Sequence, residues 1–184
     1  MLAWRAGDEG AFERLVERFS PLVYAFLTRF LGPVPQREDL VQEVFLRIVR
    51  ARERYEPTAR FSTFLYTIAF NLAANERARA DLRRASSLDA EGSGELAEDH
   101  ADGREDTPLQ RSERVDAVQL VRDAIAALPE QQRMALILAR YEDMPYAEIA
   151  AVLGSSEKAI KSLIHRARET LRARLSPLLE EDYA

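Results

Sequence analysis

The stretch LGSSEKAIKSLIHRARETLRARL, residues 153–175, decides the fold of the second half of this chain. Its apolar residues recur at three- and four-residue intervals, which predicts one amphipathic α-helix. The predicted inward face consists of Ile160, Leu163, Ile164, Ala167, Leu171 and Leu175. Gly154 suits a left-handed turn, and Ser155 or Ser156 can cap the helix. Since the preceding segment YAEIAAVLG, residues 146–154, is also helical in pattern, the pair predicts a helix-turn-helix.

Positive charge is concentrated on the opposite side of the predicted helix. Residues 153–175 hold six Lys and Arg against two Glu, although the net charge of the chain is −5. A basic face opposite a packed face is what a recognition helix in a DNA major groove requires. A solvated amphipathic helix, whose Lys and Arg serve helix propensity alone, is the alternative interpretation.

The negative charge belongs to other segments. Residues 85–115 hold 3 basic and 9 acidic residues, and residues 176–184 hold no basic and 3 acidic residues. In contrast, residues 1–84 carry a net charge of +3 and residues 116–175 a net charge of +1. Residues 86–114 are polar and acidic, so they cannot bury enough apolar area to offset the entropy of ordering. We therefore predict a flexible acidic linker over 86–114 that joins two domains, 1–85 and 115–177.

Both flanking blocks have the apolar spacing of helices. In the first block, apolar residues repeat at helical intervals from Phe12 to Phe30, and Gly32 with Pro33 should end that helix. Further helices are predicted over residues 38–55, 61–84, 115–128, 131–141 and 146–154. No segment alternates as a strand does. The predicted fold class is all-α, with two small helical domains of which the second contains the helix-turn-helix.

The composition also narrows the possible functions. Cysteine is absent and there are only two His, so neither disulfides nor a metal site is expected. We find no Gly-rich phosphate loop and no nucleophile constellation, and we predict no cofactor, no catalytic residues and no enzyme activity. No stretch of apolar residues approaches the ~18 that a membrane-spanning helix needs. The amino terminus lacks the basic-then-apolar order of a secretory signal. These features predict a cytoplasmic protein without membrane insertion.

The third predicted helix mixes aromatic, amide and arginine side chains. Aromatic rings stack unpaired bases and amides read base edges, so the mixture suits single-stranded nucleic acid. The alternative is that the aromatic residues form core. We prefer core for the set that shares one face, Phe61, Leu65, Ile68 and Leu72, and a function for Asn71 and Asn75.

Four stretches, in order, resemble the extracytoplasmic-function (ECF) group of bacterial RNA polymerase sigma factors, in the sigma-70 family. AGDEGAFERLVERFSPLVYAFLTRFLG (6–32) resembles the opening helix of the family's region two, and EDLVQEVFLRIVR (38–50) is close to its most characteristic segment. FSTFLYTIAFNLAANERAR (61–79) resembles the promoter-melting helix. LPEQQRMALILARYEDMPYAEIAAVLGSSEKAIKSLIHRARETL (128–171) resembles region four.

This resemblance implies a promoter-specificity subunit that binds core RNA polymerase and promoter DNA and is restrained by an anti-sigma factor. The residues that match core-polymerase docking positions are Asp39, Gln42 and Glu43. Those that match the loop and helix that capture the unwound minus-ten strand are Arg60, Phe64, Tyr66, Asn71 and Asn75. Those assigned to the minus-thirty-five duplex are Lys161, Ser162, His165 and Arg166, with Lys158 added from the same basic face.

The chain departs from the family pattern at four positions. Where this chain has Phe64, the family often has Trp, and where it has Lys158, the family often has Gly. At the positions of Phe70 and Leu163 the family often has Arg. Two alternative functions stay open. The first is a helix-turn-helix regulator, which gives no reason for the segment DLVQEVF, residues 39–45. The second is an adaptor that binds polymerase but does not recognise promoter DNA, and it is compatible with Leu163 and with the modest charge of the second block.

Overall fold

The computed structural model describes residues 1–32, 36–86 and 108–181. These ranges contain eight α-helices: α1 Leu2–Arg5, α2 Glu9–Leu31, α3 Arg37–Arg50, α4 Phe61–Ser86, α5 Pro108–Ala126, α6 Glu130–Tyr141, α7 Tyr146–Val152 and α8 Glu157–Glu181. A short 3-10 turn, Arg52–Arg54, follows α3. Within the described ranges there is no strand, and the predicted all-α fold class is confirmed.

Local sequence signals set several helix ends. The Asp8 carboxylate accepts a hydrogen bond from the Ala11 amide at 3.1 Å and so caps the start of α2. Gly32 ends α2 with a φ of 75°, a left-handed value that glycine adopts without a Cβ penalty. The Ser156 hydroxyl accepts from the Ala159 amide at 3.2 Å, which is the predicted cap of α8.

Helices α2, α3 and α4 pack around one apolar centre. The residues with no exposed surface in this centre are Val23, Phe26, Leu27, Phe30, Val44, Ile48, Leu65, Ala69 and Ala73. The Trp4 ring from α1 stacks on Phe12 with centroids 4.4 Å apart and closes one end. The predicted core face of α4 is confirmed, since Leu65 and Leu72 are buried and Phe61 and Ile68 pack against them.

Helices α6, α7 and α8 form a second group, against which α5 packs. Its fully covered residues include Met134, Ile137, Leu138, Ile149 and Ile160. A smaller cluster of Leu128, Leu136 and Ala167, with Leu171 packed on it, fills the space between α6 and α8. The inward face predicted for α8 is therefore the face that packs.

The two helix groups also contact each other. Helix α4 lies against α7, and α2 lies against α5 and α6, so one apolar cluster runs through both groups. Helix α4 ends at Ser86, the first residue of the predicted linker, and α5 begins at Pro108, inside the predicted linker. Residues 87–107 lie outside the described residues, so the flexible linker and the domain boundaries stay predictions.

Candidate nucleic-acid interface

The turn between α7 and α8 has the geometry expected of a helix-turn-helix. Gly154 takes a φ of 58°, the left-handed conformation that the sequence predicts. The Ser155 amide donates to the Ala150 carbonyl at 2.9 Å, which closes the turn. Ile149 and Ile160 have no exposed surface and hold the two helices together. The outer face of α8 is thereby fixed relative to α7.

That outer face carries the residues predicted to meet the minus-thirty-five duplex. All five are exposed and recur at helical spacing: Lys158, Lys161, Ser162, His165 and Arg166. The Lys161 ammonium lies 3.0 Å from the Glu157 carboxylate, and the Arg166 Nε donates to the Ser162 carbonyl at 3.3 Å. Leu163 is half-buried and packs on the core, as its place at the edge of the apolar face predicts. The structure brings this predicted set together.

A second exposed face lies on α4. Asn71 and Asn75 are exposed and sit one turn apart. Phe64 is half-buried on the same side, where its ring packs against Tyr55 with centroids 5.1 Å apart. Arg60 stands directly before α4 and is exposed. At ~100° per residue these four fall within about 60° of one another on the helix.

Tyr66 lies away from the other members of its predicted set. It is 2 % exposed, and its hydroxyl donates to the Glu142 carboxylate. Burial raises the pKa of the Tyr66 phenol, and the neighbouring Glu142 adds to that shift. Phe70 is likewise turned inward, with its ring edge-on to Phe30 at 5.8 Å. Both side chains therefore point away from the exposed face that carries Asn71 and Asn75.

Acidic residues from the second helix group contact the start of α4. The Glu148 carboxylate lies 3.2 Å from the Arg60 Nε and accepts a hydrogen bond from the Thr63 hydroxyl at 3.2 Å. Burial raises the pKa of Glu142 above its ordinary value, while the bond from Tyr66 and the charge of Arg29 lower it. These contacts were not predicted from the sequence, because they join residues 76 and 85 positions apart and helical periodicity carries no information on such distant pairs.

The third predicted site is a face of α3. Asp39 and Gln42 are exposed, and Glu43 pairs with Arg47 at 2.9 Å and with Arg50 at 3.4 Å. The hydrogen bond from Arg47 is the main cause that lowers the pKa of Glu43. Leu46 and Val49 are 49 % and 40 % exposed beside these polar groups. This exposed apolar pair was not predicted from the sequence, although Leu46 lies at the helical spacing that continues from Asp39 and Gln42.

Residues 1–32, 36–86 and 108–181 contain no group of three or more potential metal ligands. No helix in those ranges has the length and apolarity needed to cross a membrane.

Two regions of the chain match models of known protein families. The model of sigma-70 region 2 matches residues 15–83, and that of sigma-70 region 4 matches residues 119–171. The first match spans α3 and most of α2 and α4, and the second spans α6, α7 and most of α8. All three candidate faces therefore lie inside matched regions.

Curated relatives and a solved structure agree with these matches. The chain is 33% identical over 176 residues to the RNA polymerase sigma-H factor of Pseudomonas aeruginosa, covering 95% of this chain and 91% of that protein. It is 35% identical over 182 residues to the ECF RNA polymerase sigma-E factor of Escherichia coli, with 94% and 91% covered. The structure of CnrH in complex with the cytosolic domain of CnrY matches with a TM-score of 0.66 at 26% identity, covering 94% and 92%. The chain belongs to the sigma-70 family of bacterial RNA polymerase sigma factors, in the extracytoplasmic-function group.

Proposed function

We propose that this chain is a promoter-specificity subunit that binds core RNA polymerase, recognises the minus-ten and minus-thirty-five elements and assists DNA melting. The observation that carries the proposal is the pairing of an exposed amide face on α4, within sigma-70 region 2, with a basic outer face on α8, within region 4. We assign the subunit no catalytic step of its own.

The outer face of α8 suits duplex DNA. Lys158, Lys161 and Arg166 carry charges that attract phosphates, and the partners of Lys161 and Arg166 lie within α8 itself. Ser162 and His165 stand between the cations, where their side chains can hydrogen-bond to base edges in the major groove. We propose that α8 reads the minus-thirty-five element through these five residues.

The exposed face of α4 suits an unpaired strand. Asn71 and Asn75 each offer a donor and an acceptor without a core-packing role. Phe64 presents part of a ring beside them, and unpaired bases stack on such rings. Extruding a base costs a few kcal/mol, which stacking and hydrogen bonds together offset. We propose that this face, with Arg60, holds the non-template strand of the minus-ten element after melting.

We propose that the face of α3 docks on core polymerase. Asp39, Gln42 and Glu43 supply polar contacts, and Leu46 and Val49 supply an exposed apolar patch beside them. Apolar side chains rimmed by polar ones are the usual anatomy of a protein interface. A helix-turn-helix regulator has no need of such a docking face, and it leaves the match to region 2 unexplained.

An anti-sigma factor is a further proposed partner. The similar CnrH structure is a complex with the cytosolic domain of CnrY, and we propose a partner of that class for this chain. Because core polymerase and promoter DNA are both in the bacterial cytoplasm, we place the protein there.

Association with core polymerase tests the proposal. The full chain should co-elute with purified core enzyme in size-exclusion chromatography, and Leu46→Asp should weaken that association at least about tenfold because it puts a charge in the apolar patch. Leu22→Asp is the matched control, since Leu22 is a similarly exposed leucine, 41 % against 49 %, on α2. A wild-type chain that does not co-elute with core would overturn the proposed function.

A further inference from the structure

We infer that Arg5 of α1 is a positioning residue for minus-ten recognition, although it does not belong to the DNA-binding face. Arg5 holds Tyr55, and Tyr55 supports both the ring of Phe64 and the start of the loop 56–60, which ends at Arg60. The inference rests on the proposed function for the DNA role of Arg60 and Phe64. It adds to that function a residue that precedes the match to sigma-70 region 2, since the match begins at residue 15.

Arg5 reaches from α1 to the residue directly before the loop. Its Nη1 donates a hydrogen bond to the Tyr55 carbonyl at 2.7 Å, across 50 positions of sequence. Hydrogen bonds from a charged donor are shorter and stronger than those between neutral groups. Tyr55 is 7 % exposed, and its ring lies edge-on to that of Phe64 with centroids 5.1 Å apart. One side chain of α1 therefore fixes the backbone of the residue that supports Phe64.

Helix α1 is itself held against the 3-10 turn, which gives Arg5 a fixed base. The two carboxylate oxygens of Glu9 accept hydrogen bonds from the Trp4 indole at 3.1 Å and from Arg52 at 3.2 Å. Arg52 also donates to the Trp4 carbonyl, and its guanidinium lies 4.6 Å from the centre of the Trp4 ring. These contacts fix the distance between α1 and the turn, so the bond from Arg5 reaches Tyr55 in one geometry.

The loop between Tyr55 and α4 depends on its two ends. All of residues 56–60 are exposed, and inside the loop the Thr58 amide donates to the Glu56 carbonyl at 2.9 Å. At the far end the Arg60 carbonyl accepts the first backbone hydrogen bonds of α4. An exposed segment gains little from burial, so fixed ends narrow the conformations that it samples. A loop ordered in advance loses less entropy when it binds a ligand.

The ring of Phe64 is supported from two sides, and Arg5 acts on one of them. On one side lies Phe61, with centroids 6.4 Å apart, and Phe61 in turn packs edge-on against Phe19 of α2 at 5.0 Å. On the other side lies Tyr55. The first support is part of the packed helix group, whereas the second is held by the bond from Arg5. Loss of that bond should therefore free one side of the surface on which a base stacks.

A contribution of α1 to stability alone is the alternative, and Arg5 distinguishes the two roles. Trp4 is 3 % exposed and belongs to the apolar core, so its replacement would disturb the whole helix group. Arg5 is exposed, and its bond goes to the residue directly before the loop. Replacing Arg5 should therefore loosen the loop while the core stays packed. A loss of stability alone would not change base preference at one promoter element and spare the other.

Reconstituted transcription with the full chain, core RNA polymerase and a library of bacterial DNA fragments measures that preference. The 5′ ends of the transcripts locate the two upstream blocks, and the ratio of the favoured base to the others gives the preference at each position. Arg5→Met removes the donor to Tyr55 and should lower this ratio in the minus-ten block roughly two- to tenfold, the range that one hydrogen bond spans in an equilibrium. The ratio in the minus-thirty-five block, which is assigned to α8, should stay as in wild type.

Two further variants make the result specific to the bond. Arg5→Lys keeps a charged donor and should recover most of the minus-ten preference. Arg14→Met is the matched control, because the Arg14 side chain is 66% exposed on α2 and pairs with Asp8 at 2.8 Å. It should behave as wild type does in both blocks.

Three results for Arg5→Met would overturn the inference: an unchanged minus-ten preference, an equal loss of preference in both blocks, or lost co-elution with core polymerase. A failure of the proposed function shows separately, because the wild-type chain itself then does not co-elute with core.

Discussion

At the scale of single residues, two cations of the α8 outer face have partners inside their own helix. Lys161 pairs with Glu157, and Arg166 donates to the Ser162 carbonyl. Exposed pairs of this kind contribute only roughly 0.2–1 kcal/mol, so a phosphate replaces them at small cost. The same helix therefore serves as a solvated surface in the free protein and as a binding surface on DNA.

We predict that Lys161→Ala weakens binding of minus-thirty-five duplex DNA and reduces the slope of log affinity against log salt by about 1, because one phosphate contact is lost. The measurement is a salt titration of duplex binding. Arg174→Ala is the control, since Arg174 is exposed on α8 about 140° around the helix from Lys161. Equal changes in the two slopes would show that α8 does not present one defined face to DNA.

Glu142 gives a pH prediction. Burial raises its pKa in the folded protein above the ordinary 4.5, so its contribution favours folding at low pH and is lost as pH rises through the raised pKa. The charged and titratable groups that act on it are Arg29, Tyr66 and Asp143. Glu142→Gln should therefore be at least as stable as wild type at pH 7. As the pH falls towards about 5, the free energy of unfolding of wild type should rise relative to that of the variant.

Urea unfolding followed by the fluorescence of Trp4, the only tryptophan, measures this difference. Asp143→Asn serves as a control for the loss of one negative charge in the same loop. The opposite result would be a Glu142→Gln variant that is less stable than wild type by the same amount at pH 7 and near pH 5. It would mean that the ionised carboxylate stabilises the fold.

At the scale of elements, the helices and their faces could be predicted from the sequence, because apolar spacing and capping residues act within a few positions of one another. The helix-turn-helix with Gly154, the packed place of Leu163 and the core face of α4 are examples. The contacts of Tyr66 and Arg60 with Glu142 and Glu148 could not be predicted in this way. They depend on how distant helices pack, and helical periodicity carries no information on that.

Two glycines should respond in opposite ways to alanine. Gly154→Ala should destabilise the protein by about 1 kcal/mol, because Gly154 has a φ of 58° although space for a Cβ is open. Gly10→Ala, inside α2, should stabilise it by roughly 0.4–1 kcal/mol, since the added Cβ meets mainly the end of the flexible Arg14 side chain at 3.2 Å. Thermal unfolding measures both changes. The same sign of change in both would contradict the assigned backbone conformations.

At the scale of the whole molecule, Arg133 joins the two helix groups. It is 1 % exposed and donates to the carbonyls of Phe30 and Leu128 at 2.8 Å, and also to that of Ala126. Its guanidinium lies 5.3 Å from the centre of the Phe30 ring. One buried cation thus satisfies carbonyl groups from the end of α2, from the end of α5 and from the segment between α5 and α6.

We predict that Arg133→Met destabilises the protein by about 3 kcal/mol or more, because several buried carbonyls lose a charged donor. Arg140→Met on the same helix is the control. Arg140 is exposed, and its replacement should change stability by no more than about 0.5 kcal/mol. Urea unfolding compares the two variants, and a similar small effect in both would contradict the role assigned to Arg133.

Reconstituted transcription tests whether the chain directs initiation by core RNA polymerase. Purified core enzyme is incubated with the full chain and a library of bacterial DNA fragments, and the 5′ ends of the transcripts are sequenced. We expect defined start sites that appear only with the chain present and that share two upstream sequence blocks at constant spacing. Start sites that are the same with and without the chain would contradict a role in promoter selection.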